Sequence, residues 1–370
     1  MKHYLKVLCV LLVVVFFTGM SSAQSLEESL QMMLEKNAKG YTQPLITGFG
    51  AAINSGLYKK ASVKTGALPI PIGIDVGLVT SMSFIPDEDK EFEYDLTENI
   101  ITFPLHDEVN PQLPNIDLKF EDLYNADKEK TPNIASDEEG AKLSRKEYSE
   151  IINAIITELG NNDVDNPDQY RATIESQFTD EDISNIIMPF QFPDGLNIPI
   201  VPVVGLQANV RIPFGIEISA RALPEIEISE EIGKFKMYGL GLRKSIPVPI
   251  VDLSVGAFLQ KMEIGDFFEA NNLNFHAEAG KKLPISIIKI YPYAGIGMDK
   301  TDLNLKYTIP GGSVPGLDED KELKFDIEGE NKFRTTLGLT LQAIPFTYIN
   351  LEGSVGKYSS ATLSAGFIFK

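Results

Sequence analysis

A two-residue alternation of apolar and polar side chains constrains the fold of this chain more than any other feature. In Val251–Gln260 the odd positions carry Val, Leu, Val, Ala and Leu, while the even positions carry Asp, Ser, Gly, Phe and Gln. The same split recurs in seven further segments, at 72–83, 204–211, 216–221, 273–280, 288–297, 333–343 and 348–355. Because side chains of a β-strand point alternately to opposite faces, the pattern predicts an all-β protein whose strands each have one apolar face.

The composition of those apolar faces separates a membrane barrel from a soluble β-sandwich, since both architectures alternate. None of the eight faces contains a charged residue, and in lipid an Arg or Lys at the bilayer midplane costs roughly 2–4 kcal/mol. Most of the strand candidates also reach the ~9–11 residues that a tilted strand needs to cross a bilayer, whereas strands of soluble domains average about 5–6. We therefore expect an antiparallel transmembrane β-barrel with a polar lumen.

The number of strands follows from fourteen candidate segments. They are 45–58, 70–85, 91–103, 201–212, 214–222, 234–245, 249–262, 272–283, 286–298, 302–309, 321–329, 332–343, 346–357 and 360–369. Bacterial single-chain barrels have an even number of strands with short periplasmic turns and long extracellular loops. We expect about 14 strands, with 12 as the alternative if the weakly patterned segments 91–103 and 321–329 are not part of the barrel.

The N-terminus has the features of an export signal. It has a basic start, an unbroken apolar run at Val7–Phe17 and small residues leading to Ala23. An apolar run of this length is too short to span a bilayer, which takes about 20 residues. We predict that residues 1–23 are a signal peptide cleaved after Ala23, which removes Cys9, the single cysteine. The predicted location is the outer membrane of a Gram-negative bacterium.

Residues 24–40 form a predicted amphipathic helix ahead of the barrel. Ser25 and Glu28 have the spacing of a capping box, and Gly40 ends the apolar periodicity. The helix could lie against the barrel rim in the periplasm, or it could enter the lumen as a plug. The first barrel strands are then expected within 41–106, and the remaining ones within 199–370.

The acidity of the chain is local. The sequence has 33 Lys+Arg and 52 Asp+Glu, a formal net charge of −19, and residues 86–195 alone hold 28 Asp+Glu against 8 Lys+Arg. The rest of the chain after residue 23 is close to neutral, with 24 Asp+Glu and 23 Lys+Arg. Nucleic-acid binding is excluded as a function, because it requires a basic surface that neutralises phosphates.

Residues 107–198 are predicted to form an acidic, partly helical insert. Ser144-Arg145-Lys146-Glu147 resembles a capping box and precedes apolar residues at helical spacing up to Gly160. Further short helices are expected after Asn166 and after Thr179, and 104–143 is expected to be irregular. If 91–103 is a strand, the insert lies outside the cell, as a lid over the barrel mouth; otherwise it is periplasmic.

The polar faces of the strands supply the candidate lumen residues. They are Asp75, Arg211, Glu217, Arg221, Asp252, Phe258, His276, Glu278, Lys289, Tyr291, Tyr293, Arg334, Tyr348 and Glu352. Their aromatic rings and charges could hold the tail and head of an amphipathic ligand, or they could be a salt-bridged filling of the lumen.

Catalytic and metal-binding signals are sparse. We find no phosphate loop, no dinucleotide fingerprint and no nucleophile elbow, and His276 beside Glu278 is expected to be a hydrogen-bonded lumen residue rather than a catalytic base. Asp163, Asp165 and Asp168 form a weak calcium candidate, because calcium prefers hard oxygen ligands but the calcium-loop pattern is incomplete. We expect no enzyme activity and no cofactor.

Several short motifs carry a family resemblance. They are Tyr41–Gly50, Asn54–Tyr58, Phe84–Lys90, Pro202–Leu206, Arg221–Pro224 and Gly353–Tyr358. Together they resemble an uncharacterised family of Gram-negative outer-membrane proteins that carries a domain of unknown function, over most of the chain except the acidic insert. The architecture is more distantly similar to the long-chain fatty-acid transporter family, an analogy of fold from which no ligand residue is transferred.

Two functional hypotheses follow. The first is a channel or transporter for a small apolar or amphipathic molecule, with the insert as a lid. The alternative is a non-transporting structural or surface-interaction barrel whose acidic insert docks a partner. Expected contacts common to both are outer-membrane lipid, lipopolysaccharide and the barrel-assembly machinery. The last of these would recognise the C-terminal strand, where Leu363, Ala365, Phe367 and Phe369 share one face.

Overall fold

The computed structural model describes residues 29–30, 33–63, 72–229, 233–265, 268–283, 288–313, 317 and 319–369. Its helices are α1 (Glu35–Ile53), α2 (Leu105–Glu108), α3 (Phe120–Leu123), α4 (Tyr148–Asn161), α5 (Arg171–Gln177) and α6 (Asp180–Ile186). Its strands are β1 (Gly73–Phe84), β2 (Glu91–Phe92), β3 (Ile100–Phe103), β4 (Ile116–Lys119), β5 (Tyr124–Ala126), β6 (Thr131–Pro132), β7 (Lys142–Arg145), β8 (Phe190–Gln191), β9 (Ile200–Ile212), β10 (Ile216–Ser229), β11 (Gly233–Ile246), β12 (Asp252–Ile264), β13 (Phe268–Gly280), β14 (Lys289–Ile309), β15 (Lys321–Glu328), β16 (Phe333–Gln342), β17 (Thr347–Val355) and β18 (Ser359–Phe369).

Ten of these strands close into an antiparallel barrel. Their order around the ring is β1, β9, β10, β11, β12, β13, β14, β16, β17 and β18, and β18 pairs again with β1. Along the strands, the residues that point outward are mainly apolar and remain exposed, while alternate residues point inward and are buried. The all-β antiparallel barrel predicted from the two-residue period is therefore confirmed.

The prediction of fourteen strands is wrong, for four separate reasons. The segment 45–58 is largely helical, and 91–103 contributes only the short strands β2 and β3 outside the barrel. The segments 286–298 and 302–309 belong to one continuous strand, β14. Finally, β15 pairs only with the upper part of β14, at Asp302–Ile309, and lies outside the closed ring.

The barrel has two distinct ends. At the cap end, β1 leads into the long insert that returns at β9, and the hairpin of β14 and β15 projects beyond the ring. At the turn end lie Gly73, Phe369 and the connections that follow β9, β11, β13 and β16.

The N-terminal segment passes down the inside of the barrel. Helix α1 packs against β1, β9, β14, β15 and β18, and the chain continues through residues 54–63 without regular secondary structure. Ser55 contacts Ser360 where β18 begins, and Lys59 contacts Asp75 near the turn end. The helix therefore extends well past Gly40. The chain at its start contacts the insert at Asp95 and the projecting part of β14 at Tyr307, and from Gly48, beside Ser83 and Val201, the chain runs inside the barrel. Residues 33–63 are called the plug. Residues 24–28, where the predicted helix begins, lie outside the described residues, as do 1–23.

Residues 85–199 form a folded cap over the cap end. The helices predicted around 148–160, after Asn166 and after Thr179 are confirmed as α4, α5 and α6, although the capping box of α4 is formed by Glu147 and Glu150 and not by Ser144 and Glu147. The segment 104–143, expected to be irregular, instead contributes α2, α3 and the short strands β4 to β7. The apolar side chains of the cap share one core with the upper barrel and with Met33 and Leu34 of the plug.

The lumen is filled in two layers. Near the cap end its wall is apolar, and Phe49 of α1 packs edge-on against Phe268 with ring centroids 5.7 Å apart. Near the turn end the wall is polar and charged, and it surrounds residues 54–63. In the described part of the chain, no helix is long and apolar enough to cross a bilayer.

Candidate functional site

The lower lumen brings together most of the side chains that the alternation singled out. Those buried against the plug are Asp75, Arg211, Glu217, Arg221, Phe258, Glu278, Tyr291, Tyr293, Arg334, Tyr348 and Glu352, and His276 lies among them. Lys289 and Asp252 are not buried against the plug, because each is the first residue of its strand at the turn end. Lys289 is exposed there, and Asp252 is only half-buried.

A chain of buried ion pairs crosses this part of the wall. It runs through Lys59, Asp75, Arg211, Glu217, Arg243 and Glu278, on the plug and on β1, β9, β10, β11 and β13. Arg243 lies 2.6 Å from Glu217 and 2.9 Å from Glu278, and its side chain is 2% exposed. Acidic and basic groups alternate along the chain, so each charge removed from water faces an opposite charge.

A second polar cluster holds the plug from the other side of the barrel. Glu352 accepts hydrogen bonds from the Gly56 amide and the Tyr293 hydroxyl, both at 2.8 Å. Arg334 donates to the Ser55 hydroxyl at 3.1 Å and lies 3.5 Å from Asp299. The two clusters together surround residues 55–60 with charged side chains.

The wall recognises the main chain of the plug. The carbonyl groups of Ile53, Ser55, Gly56, Leu57, Tyr58, Lys59 and Lys60 all accept hydrogen bonds from lumen side chains. Arg221 alone donates to three of them, with its shortest contact 2.7 Å from the Gly56 oxygen. A buried carbonyl without a partner is costly, so this network satisfies a segment that has no secondary structure of its own.

Aromatic rings enclose the side chains of the same segment. Tyr58 stacks on His276 with ring centroids 3.7 Å apart, and the Arg243 guanidinium lies 4.6 Å from the Tyr58 centroid. The Lys59 ammonium lies 4.5 Å from the ring of Tyr348. Cation–π contacts of this kind gain strength when water is excluded.

The plug fills the lumen around His276 and leaves little free space. His276 Nδ1 is 3.1 Å from Asn274, and its ring is covered by Tyr58. A cavity of about 20 Å³ remains between the plug and the wall, bordered by His276 and Glu278. That volume is enough for roughly one water molecule, so a ligand needs the plug to move.

Several residues of this network were not predicted to lie in the lumen. Arg243 lies on a predicted strand, opposite the outward residues Leu240 and Leu242, so its inward position could have been inferred from the alternation. Lys59 gives no such signal, because its buried position depends on a segment threaded through the barrel.

The calcium prediction finds no support in the geometry of the cap. Asp163, Asp165 and Asp168 lie exposed at the connection between α4 and α5, and Asp168 pairs with Arg171 at 3.2 Å. Among the described residues, no three His, Cys, Asp or Glu side chains are arranged to hold a metal ion.

The cap holds the start of α1 through Asp95. Its carboxylate lies 2.8 Å from Lys36 Nζ, and its main chain exchanges two hydrogen bonds with Asn37. The Lys36 ammonium, with Thr97, lowers the pKa of Asp95 to about 2. A lowered carboxyl pKa stabilises the folded state above the unfolded pKa of about 4 and ceases to do so as the pH falls toward 2.

We expect Asp95→Asn to increase amide hydrogen exchange in the first turn of α1 at pH 7. Acidification of the wild type from pH 5 to pH 2 should lower the protection factors of the same turn, in which the observed exchange is compared with the intrinsic rate at each pH. Asp87→Asn is the control, because Asp87 pairs only with Lys90 three residues away. Equal exchange in α1 for both variants would show that Asp95 does not hold the helix.

Comparisons with known proteins add a family but not an activity. Curated protein sequences give no match. Among solved structures, the crystal structure of Acinetobacter baumannii OccAB2 aligns at 7% identity over 80% of this chain and 98% of that one, with a TM-score of 0.10. Similarity at that level carries no argument about the fold, which rests on the strand order above. A sequence model described as a family of unknown function matches residues 1–369, acidic insert included, so the chain belongs to the DUF6588 family.

Proposed function

We propose that the protein is an outer-membrane β-barrel, sealed by its own N-terminal segment, that presents the acidic cap at the membrane surface as a docking surface for a cationic partner. The filled lumen carries this proposal, since a wall that satisfies every carbonyl from Ser55 to Lys60 leaves no open path. The barrel then serves as an anchor, and the cap is the part available to partners.

The outer face of the barrel supports membrane insertion. Along β14, the outward residues Ile296 and Met298 are followed toward the cap end by Lys300 and Asp302. The same change from apolar to charged residues occurs on other hairpins, where exposed ion pairs such as Lys234–Glu225 lie near the cap end. An apolar belt bounded by charges is typical of a barrel in a bilayer.

The turn end supports the same placement. Its turns expose large apolar side chains, with Phe214 88%, Ile250 73% and Phe346 67% exposed. Exposed apolar patches on this scale are rare in soluble monomers. In a bilayer these side chains would lie in the interfacial region, where aromatic residues are enriched.

We expect Leu240→Arg to lower the free energy of unfolding by about 2–4 kcal/mol, because Leu240 lies in the middle of the apolar belt. Thr308→Arg, on the outward face of β14 beyond the belt, is the control and should change stability little. Urea titration of the protein folded into lipid vesicles measures both. Equal stability of the two variants would contradict membrane insertion at this belt.

The sealed lumen and the cap are tested separately. In a planar bilayer the wild-type protein should show no conductance, and a stable open pore would contradict sealing.

Binding of a cationic polypeptide such as polylysine should weaken at least tenfold when Asp163, Asp165 and Asp168 are replaced by Asn. Unchanged binding would contradict docking through this face of the cap.

A gated passage for a small amphipathic molecule is the second candidate. It is favoured by the irregular backbone of residues 54–63, which is held by side chains of the wall and not by strand pairing. Such a segment can leave the lumen without breaking the sheet. Uptake of a small amphipathic dye into vesicles that contain the wild-type protein would favour this candidate over the anchor.

A further inference from the structure

We propose that the lower lumen is a binding site for an irregular polypeptide segment that bends at a glycine, and residues 53–60 occupy it in this structure. The site is built by the wall, and a separate polypeptide with the same features can take the place of the N-terminal segment. This inference goes beyond the sealed anchor, because it gives the lumen a ligand class of its own.

Recognition of the main chain identifies the ligand as a polypeptide. The donors to the carbonyl groups of residues 53–60 come from six different strands and are Gln207, Arg221, Arg243, Gln260, Tyr293 and Thr340. Glu352 completes the set by accepting from the Gly56 amide at 2.8 Å. Amide and carbonyl groups are common to all polypeptides, so these contacts do not depend on the side chains of the occupant.

Position 56 of the occupant requires glycine. Gly56 has a φ of +63°, and a Cβ there would lie 2.5 Å from Thr362 Cγ2 and 2.8 Å from Val79 Cγ1. Thr362 and Val79 belong to β18 and β1, whose backbones are fixed by the barrel. A larger residue would therefore be both strained and blocked by the wall.

Positions 58 and 59 of the occupant select an aromatic residue and a basic residue. Tyr58 is held between His276 and the edge of Phe258, with centroid distances of 3.7 and 6.4 Å. Lys59 lies 2.6 Å from the Asp75 carboxylate and is 6% exposed, so an acidic residue there would face a buried carboxylate. The ligand class is a polypeptide that bends at a glycine, with that glycine, an apolar residue, an aromatic residue and lysine in succession, as in Gly56-Leu57-Tyr58-Lys59.

The test uses the full chain with a protease site placed within 64–71. The folded protein is cleaved there, unfolded in urea and refolded into detergent with a tenfold excess of a fluorescent peptide of residues 33–63. Refolding from the unfolded state gives the labelled peptide and the original fragment equal access to the lumen. Barrels that have regained heat-modifiable gel migration are then scored for bound label.

We expect the labelled peptide to occupy about ten lumens for each one that retains the original fragment. Peptides with Gly56→Val or Lys59→Glu should be incorporated at least tenfold less, whereas Ser62→Ala is the matched control and should behave as the wild type. Refolded barrels that exclude the wild-type peptide, or that accept all four peptides equally, would overturn the proposal. Neither result would affect the membrane placement or the sealing, which are measured by the Arg variants and by conductance.

Discussion

Replacement of Arg243 by Met is expected to lower the free energy of unfolding by about 3–5 kcal/mol and to release the plug. Arg243 is the cation between Glu217 and Glu278, and it also donates to the Lys60 carbonyl at 2.6 Å. Its loss leaves two buried carboxylates without their shared partner, and breaking a buried pair by removing one side carries a cost of this size. A methionine keeps the apolar bulk of the side chain but none of its donors.

The matched control is Lys289→Met. Lys289 also belongs to the inward register of its strand, but it is exposed at the turn end and outside the ion-pair chain. Thermal unfolding followed by gel migration measures stability, and conductance in a planar bilayer reports release of the plug. If the two variants have the same melting temperature and neither conducts current in the bilayer, Arg243 does not hold the plug.

Gly140→Ala is expected to disrupt the cap while the barrel stays folded. A Cβ at this position would lie 1.9 Å from the Phe192 carbonyl oxygen and 2.8 Å from that of Pro193. Because both obstacles are main-chain atoms, the loop cannot yield by a change of rotamer. Overpacking typically costs 1–3 kcal/mol and occasionally more, and we expect the upper part of that range.

Limited proteolysis of the cap measures this effect, with heat-modifiable migration as the readout for the barrel. Gly160→Ala is the control, since a Cβ there meets only Pro167 Cγ at 3.6 Å and alanine favours the helix. We expect the cap of Gly140→Ala to be cut at least tenfold faster than that of Gly160→Ala. Equal cutting would contradict the close approach of Gly140 to residues 192–193.

The barrel was predictable from the sequence because its outer face has a regular period. Wherever the wall alternates, as in β12 and β18, the predicted facing agrees with the structure. The predicted number of strands was too high because segments that do not belong to the barrel wall were counted as strands. Segment 45–58 is mostly helix, but α1 lies inside the barrel and is buried on nearly every side, so it lacks the polar face by which helices are recognised. Pro44 lies inside α1, and a proline in a sequence is a further signal against a helix.

The candidate site was predictable only on the wall. Asp75, Arg211 and Glu217 were assigned to the lumen from register alone, and they do form one ion-pair chain. Their partner Lys59 comes from an irregular segment, and no periodicity links that segment to the strands that surround it. Which residues fill the lumen depends on the three-dimensional path of the chain, and a local sequence pattern does not specify that path.

The central claim is that residues 53–60 lie in the lumen, and a disulfide tests it most directly. The hydroxyl oxygens of Ser55 and Ser360 are 2.7 Å apart, within the reach of a disulfide. In the protein carrying Ser55→Cys and Ser360→Cys and cleaved within 64–71, the N-terminal fragment should remain attached without reductant and separate with it. Ser55→Cys with Ser364→Cys, four residues or ~13 Å further along β18, should give no attachment. Release of the fragment from the first pair, or equal attachment in both, would contradict the account.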